Sequence, residues 1–102
     1  MIRIVALSRR CEKSLERVPV EVSDALWVWK RNIEEFGLST TQSIRTYRDH
    51  SLQGKLRGPG IRAIRLSYGY RAYYRVVFET IVFVKIEEVN NHDYKAIERR
   101  FT

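Results

Sequence analysis

Cysteine and histidine are scarce in this sequence, and that scarcity excludes several kinds of chemistry. Cys11 is the only cysteine among 102 residues, which excludes an intrachain disulfide and a thiolate metal cluster. The two histidines, His50 and His92, stand far apart in the chain and match no zinc motif. The sequence also lacks the Gly-Lys-Ser/Thr ending of a P-loop and the Gly-x-Ser-x-Gly elbow of a hydrolase. We therefore expect no metal and no small-molecule cofactor.

Long apolar runs are missing as well. None reaches the ~20 residues that span a membrane, so we expect no membrane partner. A length of 102 residues with 44% hydrophobic content is enough for one small core. We expect a single domain over 1–102, and the lone cysteine fits a reducing, cytoplasmic location.

Acidic residues are sparse in one part of the chain. The sequence has 12 Asp+Glu against 19 Lys+Arg, a net charge of +7. The segment 45–75 holds eight basic residues and one acidic residue, so it carries the whole excess, and it also holds five of the six tyrosines. Guanidinium groups among aromatic rings suit a partner with phosphates and flat bases. The alternative is a basic surface that docks an acidic protein.

Hydrophobic patterning predicts an α+β fold. The β-branched residues of 2–7 indicate a first strand, and Ser8 can cap a helix over about 9–17. Apolar spacing predicts a longer helix over about 20–36, ended by Gly37. The two helices are joined so closely that we expect a helical hairpin.

The second half of the chain is predicted to consist mostly of strands. Segment 38–47 holds one or two helical turns, and 49–60 is a glycine-rich loop. Strands follow over 61–66, 70–78 and 81–89, with connections short enough for hairpins. The predicted order is an N-terminal strand, a helical hairpin and a three-stranded antiparallel meander, with the helices packed on one face of the sheet.

Alternation along the middle strand of this meander separates its side chains into two faces. One face, predicted to be mostly core, holds Tyr70, Ala72, Tyr74, Val76 and Phe78. The opposite face is predicted to present Arg71, Tyr73 and Arg75 as an exposed basic and aromatic floor.

The preceding strand and the two histidines add further candidates. Arg62 and Arg65 differ by three positions, so a regular strand cannot place both on one face, and one of them faces the helices' edge or lies beside a bulge. Histidine is the side chain whose ordinary pKa allows proton transfer near neutral pH. His50 precedes the basic strands and His92 follows the last strand, where loops gather around a site.

Three segments of the chain carry a family resemblance: 49–58 (DHSLQGKLRG), 61–74 with its IRAIRL and YRAYY runs, and 88–94 (EVNNHDY). Together they resemble the RelE/ParE superfamily of small bacterial toxins from type II toxin–antitoxin modules, in the RelE- and YafQ-like branch. The resemblance covers nearly the whole chain, including the predicted order of its elements.

The resemblance implies a ribosome-dependent mRNA endonuclease, or mRNA interferase, that inhibits translation. The implied partners are a cognate antitoxin, the ribosome and mRNA. The reaction needs no metal: a base removes the 2′-hydroxyl proton, that oxygen attacks the adjacent phosphate, and an acid protonates the leaving 5′-oxygen. Arginine stabilises the charge of the transition state. The products are a 2′,3′-cyclic phosphate and a 5′-hydroxyl.

The resemblance also implies the roles of individual residues. Arg71 matches an arginine that contacts the scissile phosphate, and Arg65 matches a basic residue on the preceding strand. His50 and His92 match the branch's histidines, and which of them is base and which is acid stays open. Contacts to RNA or the ribosome are expected from Lys55, Arg57, Arg62, Tyr73, Arg75 and Tyr94.

Two other functions stay open at this point. A ParE-like inhibitor of DNA gyrase shares the fold but generally lacks the histidine after the last strand, so His92 argues against it. A non-catalytic module that binds RNA or an antitoxin keeps the basic face and tolerates loss of both histidines. The fold alone does not separate these functions.

Overall fold

The computed structural model describes residues 2–52 and 60–88. Its elements follow in the order β1 (Ile4–Leu7), α1 (Arg9–Leu15), α2 (Val20–Phe36), α3 (Leu38–Gln42), a 3₁₀ turn (Arg45–Tyr47), β2 (His50–Ser51), β3 (Arg62–Ser67), β4 (Tyr70–Val77) and β5 (Thr80–Glu88). The α+β order predicted from the sequence is confirmed.

The strands form one mixed sheet in the order β1-β5-β4-β3-β2. The antiparallel meander of β3, β4 and β5 is the one predicted. The sheet is larger than the meander, because β1 pairs in parallel with β5, with Ile4 opposite Thr80. The helices therefore form the crossover between the first strand and the rest of the sheet.

The loop predicted over 49–60 is wrong at two positions. His50 and Ser51 form the short strand β2, antiparallel to β3, opposite Ala63 and Arg62. Two residues are too few to show the alternation by which a strand is recognised in a sequence. This pairing fixes His50 relative to the sheet.

The apolar stripe of α2 packs on one face of the sheet. Its residues are at most 1% exposed: Val22, Leu26, Trp29 and Ile33. The Trp29 ring centre lies 5.2 Å from that of Tyr74 and 5.1 Å from that of Phe83. Trp29 therefore belongs to the core, whereas Trp27, which lies off the stripe, is 46% exposed.

Ser8 joins the start of α1 to the sheet. Its hydroxyl accepts a hydrogen bond from the Cys11 amide at 3.1 Å, as the sequence predicts, and donates one to the Val84 carbonyl at 2.7 Å. The helix ends at Leu15, two residues earlier than expected.

The turn between β4 and β5 has an unusual backbone. Phe78 and Glu79 both have positive φ angles, 47° and 62°. Two-residue hairpin turns with both central residues in this region normally carry Asn-Gly. The Phe78 side chain is 97% exposed and that of Val76 is 41% exposed. The prediction that the core face of this strand extends to them is therefore wrong, because β4 ends at Val77 and Phe78 lies in the turn. Along the described residues, no helix combines the length and the apolar character needed to cross a bilayer.

Candidate active site

Two arginines lie directly opposite each other on neighbouring strands of the sheet. Arg65 of β3 is the antiparallel partner of Arg71 of β4. Like charges in this position destabilise a sheet. Glu87 lies on the other side of Arg71 in the register of β5, and its carboxylate accepts a hydrogen bond from the Tyr73 hydroxyl at 2.6 Å. The register thus places Arg71 between Arg65 on one side and the acidic Glu87 on the other.

His50 shares the face of this arginine pair. Directly opposed residues of an antiparallel pair point to the same side, and so do residues two apart on one strand. His50 is opposite Ala63, and Ala63 is two residues from Arg65. The register therefore places His50, Arg65 and Arg71 on the face of the sheet opposite the helices.

The ring of His50 is held in one tautomer. Its Nδ1 lies 2.7 Å from the Arg48 carbonyl oxygen. A carbonyl oxygen only accepts, so Nδ1 carries a hydrogen and donates it, and the lone pair of the neutral ring is at Nε2. Arg48 adopts the left-handed conformation, with φ 48° and ψ 45°, which a non-glycine residue adopts rarely. The exposed Nε2 is thus the nitrogen able to accept a proton.

Asp49, the residue before His50, anchors this segment to the core. Its side chain is 0% exposed. One carboxylate oxygen accepts a hydrogen bond from Arg62 Nε at 2.6 Å, and the other accepts one from the Tyr74 hydroxyl at 2.5 Å. Gln42 Nε2 in turn donates to the Tyr74 oxygen at 3.1 Å. We call Asp49, Arg62, Tyr74 and Gln42 the Asp49 cluster.

The surroundings of Tyr74 and Arg62 favour one protonation state of each. Burial, together with the hydrogen bond to Asp49, raises the pKa of Tyr74 far above the ordinary value of a phenol. Burial acts against the charge of Arg62, but hydrogen bonding to Asp49 raises the pKa of its guanidinium above the ordinary value. Tyr74 therefore stays neutral and Arg62 stays charged, so the cluster is a structural anchor and not a proton relay.

Arg62 and Arg65 face opposite sides of β3, as their spacing predicts. Arg62 lies opposite Tyr74 and reaches Asp49 on the side of the helices, whereas Arg65 lies on the outer face. The register shifts between Arg65 and Ser67, which is the irregularity expected beside one of the two arginines. Contact between Arg62 and RNA stays a prediction.

The outer face differs from the expected floor at Tyr73. This residue is only 3% exposed, and its neighbour across the strands, Ala63, is 0% exposed. The Lys85 ammonium lies 5.2 Å from the centre of the Tyr73 ring. The expectation of an exposed Tyr73 is therefore wrong, because the ring is covered and its hydroxyl is engaged by Glu87. Arg75, two residues further along the same face, is exposed as predicted.

Four predicted site residues lie outside the residues that the structure describes. They are Lys55, Arg57, His92 and Tyr94. The structure brings His50, Arg65 and Arg71 to one face and turns Arg62 to the other.

Cys11 is the buried residue of α1. It is 0% exposed, and burial, with a smaller contribution from Glu12, raises the pKa of its thiol to about 11. A protonated, enclosed thiol is a poor nucleophile. Within 2–52 and 60–88, no three His, Cys, Asp or Glu side chains come together in a way that could hold a metal ion.

Sequence reasoning missed the Asp49 cluster. A signal was present, because Asp49 is the one acidic residue among the eight basic residues of 45–75. A single carboxylate in such a segment is a good candidate for a buried partner of one of the arginines. The role of the Arg48 carbonyl left no such signal, since a backbone group can come from any residue type.

No family model matches the chain, and no curated protein matches it in sequence. Solved structures match it in fold. A chain of the archaeal RelE–RelB complex from Pyrococcus horikoshii OT3 is 17% identical, with 89% of this chain and 99% of that one covered and a TM-score of 0.66. YafQ from E. coli strain BL21(DE3) is 16% identical, with coverages of 84% and 92% and a TM-score of 0.65.

A third match extends over more of the chain. A chain of the RelB–RelE antitoxin–toxin complex from Methanococcus jannaschii is 16% identical, covers 95% of this chain and 99% of its own length, and has a TM-score of 0.65. The chain has the RelE-like toxin fold. The RelE-like sheet is therefore the frame on which His50, Arg65 and Arg71 share a face.

Proposed function

We propose that this chain is the toxin of a type II toxin–antitoxin module and cleaves mRNA on the ribosome without a metal. It inhibits translation in the cytoplasm until a cognate antitoxin binds it. The RelE-like fold supports the toxin role, since solved structures with this fold include toxin–antitoxin complexes. The observation that carries the proposal is the Arg65–Arg71 pair, which shares its face with an oriented His50.

The arginine pair provides the phosphate site of the proposed reaction. Guanidinium groups form charge-assisted hydrogen bonds with phosphate oxygens, and their planar geometry favours paired contacts. Arg65 and Arg71 occupy directly opposed positions on paired strands, so the sheet fixes the two backbones from which the guanidinium groups extend. Fixed groups of this kind stabilise a transition state more than mobile solvent does.

His50 supplies the base in this proposal. Its Nε2 takes the proton from the 2′-hydroxyl, and that oxygen attacks the adjacent phosphorus as the bond to the 5′-oxygen breaks. A proton from an acid goes to the leaving 5′-oxygen, and His92 is proposed for this role from the family resemblance. The products are a 2′,3′-cyclic phosphate and a 5′-hydroxyl.

Further basic and aromatic residues are proposed to hold mRNA or the ribosome. Arg75 continues the outer face beyond Arg71 and is exposed. Tyr73 shares that face but is covered, so it supports the surface on which RNA lies. The remaining proposed contacts are Lys55, Arg57, Arg62 and Tyr94.

The experiment that tests the proposal maps the 5′ ends of cellular mRNA after expression from a tightly controlled promoter. Wild-type protein is expected to produce cuts that depend on translation. Arg71→Ala abolishes them, and His50→Ala and His92→Ala each slow cleavage by roughly 10²–10⁴-fold. Arg31→Ala is the matched control, because Arg31 is an exposed arginine on α2, away from the site.

Two results contradict the proposal. Growth arrest with intact mRNA contradicts the proposed nuclease activity and makes DNA gyrase the next target to test. Cleavage that persists in folded Arg71→Ala removes the arginine pair from the mechanism. Circular dichroism establishes that each variant is folded.

A further inference from the structure

The turn between β3 and β4 holds an exposed aromatic ring beside the candidate site. Ser67 pairs with Tyr70, so only Tyr68 and Gly69 connect the two strands. Gly69 has a positive φ of 92°, which glycine adopts without strain. Tyr68 is 72% exposed, so its ring contributes little burial to the stability of the fold. The short turn nevertheless fixes the backbone that carries this ring.

An arginine of the candidate site lies against the Tyr68 ring. The guanidinium carbon of Arg65 is 5.9 Å from the ring centre, within the range of a cation–π contact. Arg65 is also the strand partner of Arg71. The exposed ring and the arginine pair are therefore neighbours, and a group stacked on Tyr68 lies next to any phosphate that Arg65 holds.

The surroundings of the ring are basic. Tyr68 and Arg65 line a hollow of about 780 Å³ between α2, the 3₁₀ turn and the end of β3, together with Arg45 and Arg48. The last two are exposed, and none of the described residues lining the hollow is acidic. Tyr47 also lines it but is 9% exposed and belongs to the core. Tyr68 is thus the aromatic ring of this lining that is open to a ligand.

We propose that Tyr68, with Arg65 against its ring, stacks on a base of single-stranded RNA, in the nucleotide next to the phosphate held by Arg65 and Arg71. This inference rests on the proposed function, because it names a second contact of the same substrate. Bases stack on aromatic side chains whatever their identity, and an arginine adds to such a stack. Arg45 and Arg48 pair with phosphates of the adjoining nucleotides.

The exposed ring favours RNA over an acidic protein at this position. The face of an aromatic ring is negative, so a carboxylate pairs with the arginines and gains nothing from Tyr68. A nucleotide carries both a phosphate and a flat base, and so it uses both kinds of group. Because stacking depends on the size of the base rather than on its hydrogen-bonding edge, we expect a preference for purines and no strict sequence.

The binding experiment uses a short fluorescein-labelled oligoadenylate whose 2′-O-methyl groups prevent cleavage. Anisotropy measures its affinity for the wild type and for each variant. Tyr68→Ala is expected to weaken binding by about fivefold to 150-fold, the loss of one stacked base. Tyr68→Phe keeps the ring and is expected to stay within about twofold of the wild type.

Phe78→Ala is the matched control for the loss of an exposed ring. Phe78 is 97% exposed and follows the last residue of β4, whereas Tyr68 lies before the first, so the two rings are at opposite ends of one strand. We expect Phe78→Ala to leave RNA binding unchanged. Equal losses in Tyr68→Ala and Phe78→Ala overturn the stacking site. Circular dichroism shows that each variant is folded.

Two further ligands separate stacking from attraction to charge. Inorganic polyphosphate has the charge of RNA without its bases, so we expect it to bind the wild type and Tyr68→Ala equally. Equal losses for polyphosphate and RNA overturn the stacking site. A peptide of glutamates that loses affinity in Tyr68→Ala, while RNA binding is unchanged, overturns it in favour of a protein partner.

The map of mRNA cuts provides a second readout. The wild type and Tyr68→Phe are expected to favour a purine at one position beside the cut, and Tyr68→Ala is expected to lose that preference. An unchanged preference in Tyr68→Ala overturns the stacking site. Because binding is measured on RNA that cannot be cut, the two proposals fail separately. Ring-dependent binding without cleavage contradicts only the nuclease, and cleavage that is independent of Tyr68 contradicts only this inference.

Discussion

The side chain of Asp49 is fully buried, and its two carboxylate oxygens accept hydrogen bonds from Arg62 and Tyr74. Because the donors Arg62 and Tyr74 lie on β3 and β4, these hydrogen bonds fix the backbone of Asp49 relative to the sheet. The adjacent His50 is exposed, so its position depends on this neighbour rather than on packing of its own.

We therefore expect Asp49→Asn to lower the free energy of unfolding by about 1.5–3 kcal/mol, the range of hydrogen bonds to charged groups. The amide keeps the shape of the carboxylate but has one acceptor oxygen for two donors, and it leaves Arg62 without a counter-charge. Urea unfolding measures the loss. Asp24→Asn, at an exposed position of α2, is the control and is expected to change stability by less than about 0.5 kcal/mol. Equal stability of the two variants contradicts an anchoring role.

Individual residues show where prediction from sequence succeeds and where it stops. The burial of Cys11 and Trp29 follows from helical spacing, because one stripe of a helix has to face the core. The burial of Tyr73 does not follow from alternation, which assigns a face but not what covers it. The tautomer of His50 depends on the left-handed backbone of Arg48, which no residue pattern in the segment indicates.

At the scale of elements, the β4–β5 turn is a point of strain. Phe78 and Glu79 occupy a region that costs L-residues with a Cβ roughly 1–2 kcal/mol each. The Phe78 side chain is almost fully exposed and offers little burial to offset that cost.

Replacing this turn by Phe78→Asn with Glu79→Gly is expected to stabilise the protein by about 1–2 kcal/mol, because Asn-Gly adopts the required conformation readily. Thermal or urea unfolding measures the gain. The double change to alanine removes the same side chains but keeps a Cβ at both positions, and we expect no comparable gain from it. Destabilisation by Asn-Gly shows instead that these side chains contribute contacts to the fold.

Most elements are predictable from sequence, and their pairing is only partly so. Caps, apolar periods and glycines mark the ends of α2 and of the meander strands within one or two residues. The parallel pairing of β1 with β5 joins Ile4 to Thr80, and no local pattern connects positions so far apart. The short strand β2 forms because β3 lies beside it, so its cause is outside its own sequence.

At the scale of the whole molecule, the excess charge has a definite place. Residues 45–75 carry it in the sequence, and among the described residues the fold places Arg62 in the Asp49 cluster and Arg65 and Arg71 on the outer face. Arg62 is neutralised by Asp49, whereas Arg65 and Arg71 stand together. The net charge can be read from the composition, but the division of these arginines between the Asp49 cluster and the outer face follows only from the register of the sheet.

Under the proposed function, the affinity for RNA is expected to fall steeply with salt. For a single strand, the logarithm of the affinity falls with the logarithm of salt concentration with a slope of about −0.7 for each phosphate contacted. An RNA with 2′-O-methyl groups, which cannot be cut, serves as the ligand between about 50 and 200 mM salt. Arg71→Gln is expected to reduce the magnitude of the slope by about 0.7. Arg31→Gln is expected to leave it unchanged, and an equal reduction in both contradicts a defined phosphate site.

The pairing of β1 with β5 also bears on how such a protein is made. A ribosome releases the first strand early, but the neighbour of that strand in the sheet is β5, which emerges only after residues 80–88 are synthesised. Ser8 likewise waits for Val84 before its hydroxyl has an acceptor. The sheet that supports the arginine pair is therefore complete only after β5 has emerged. Under the proposed function, the site gains its full support only once that strand has left the ribosome.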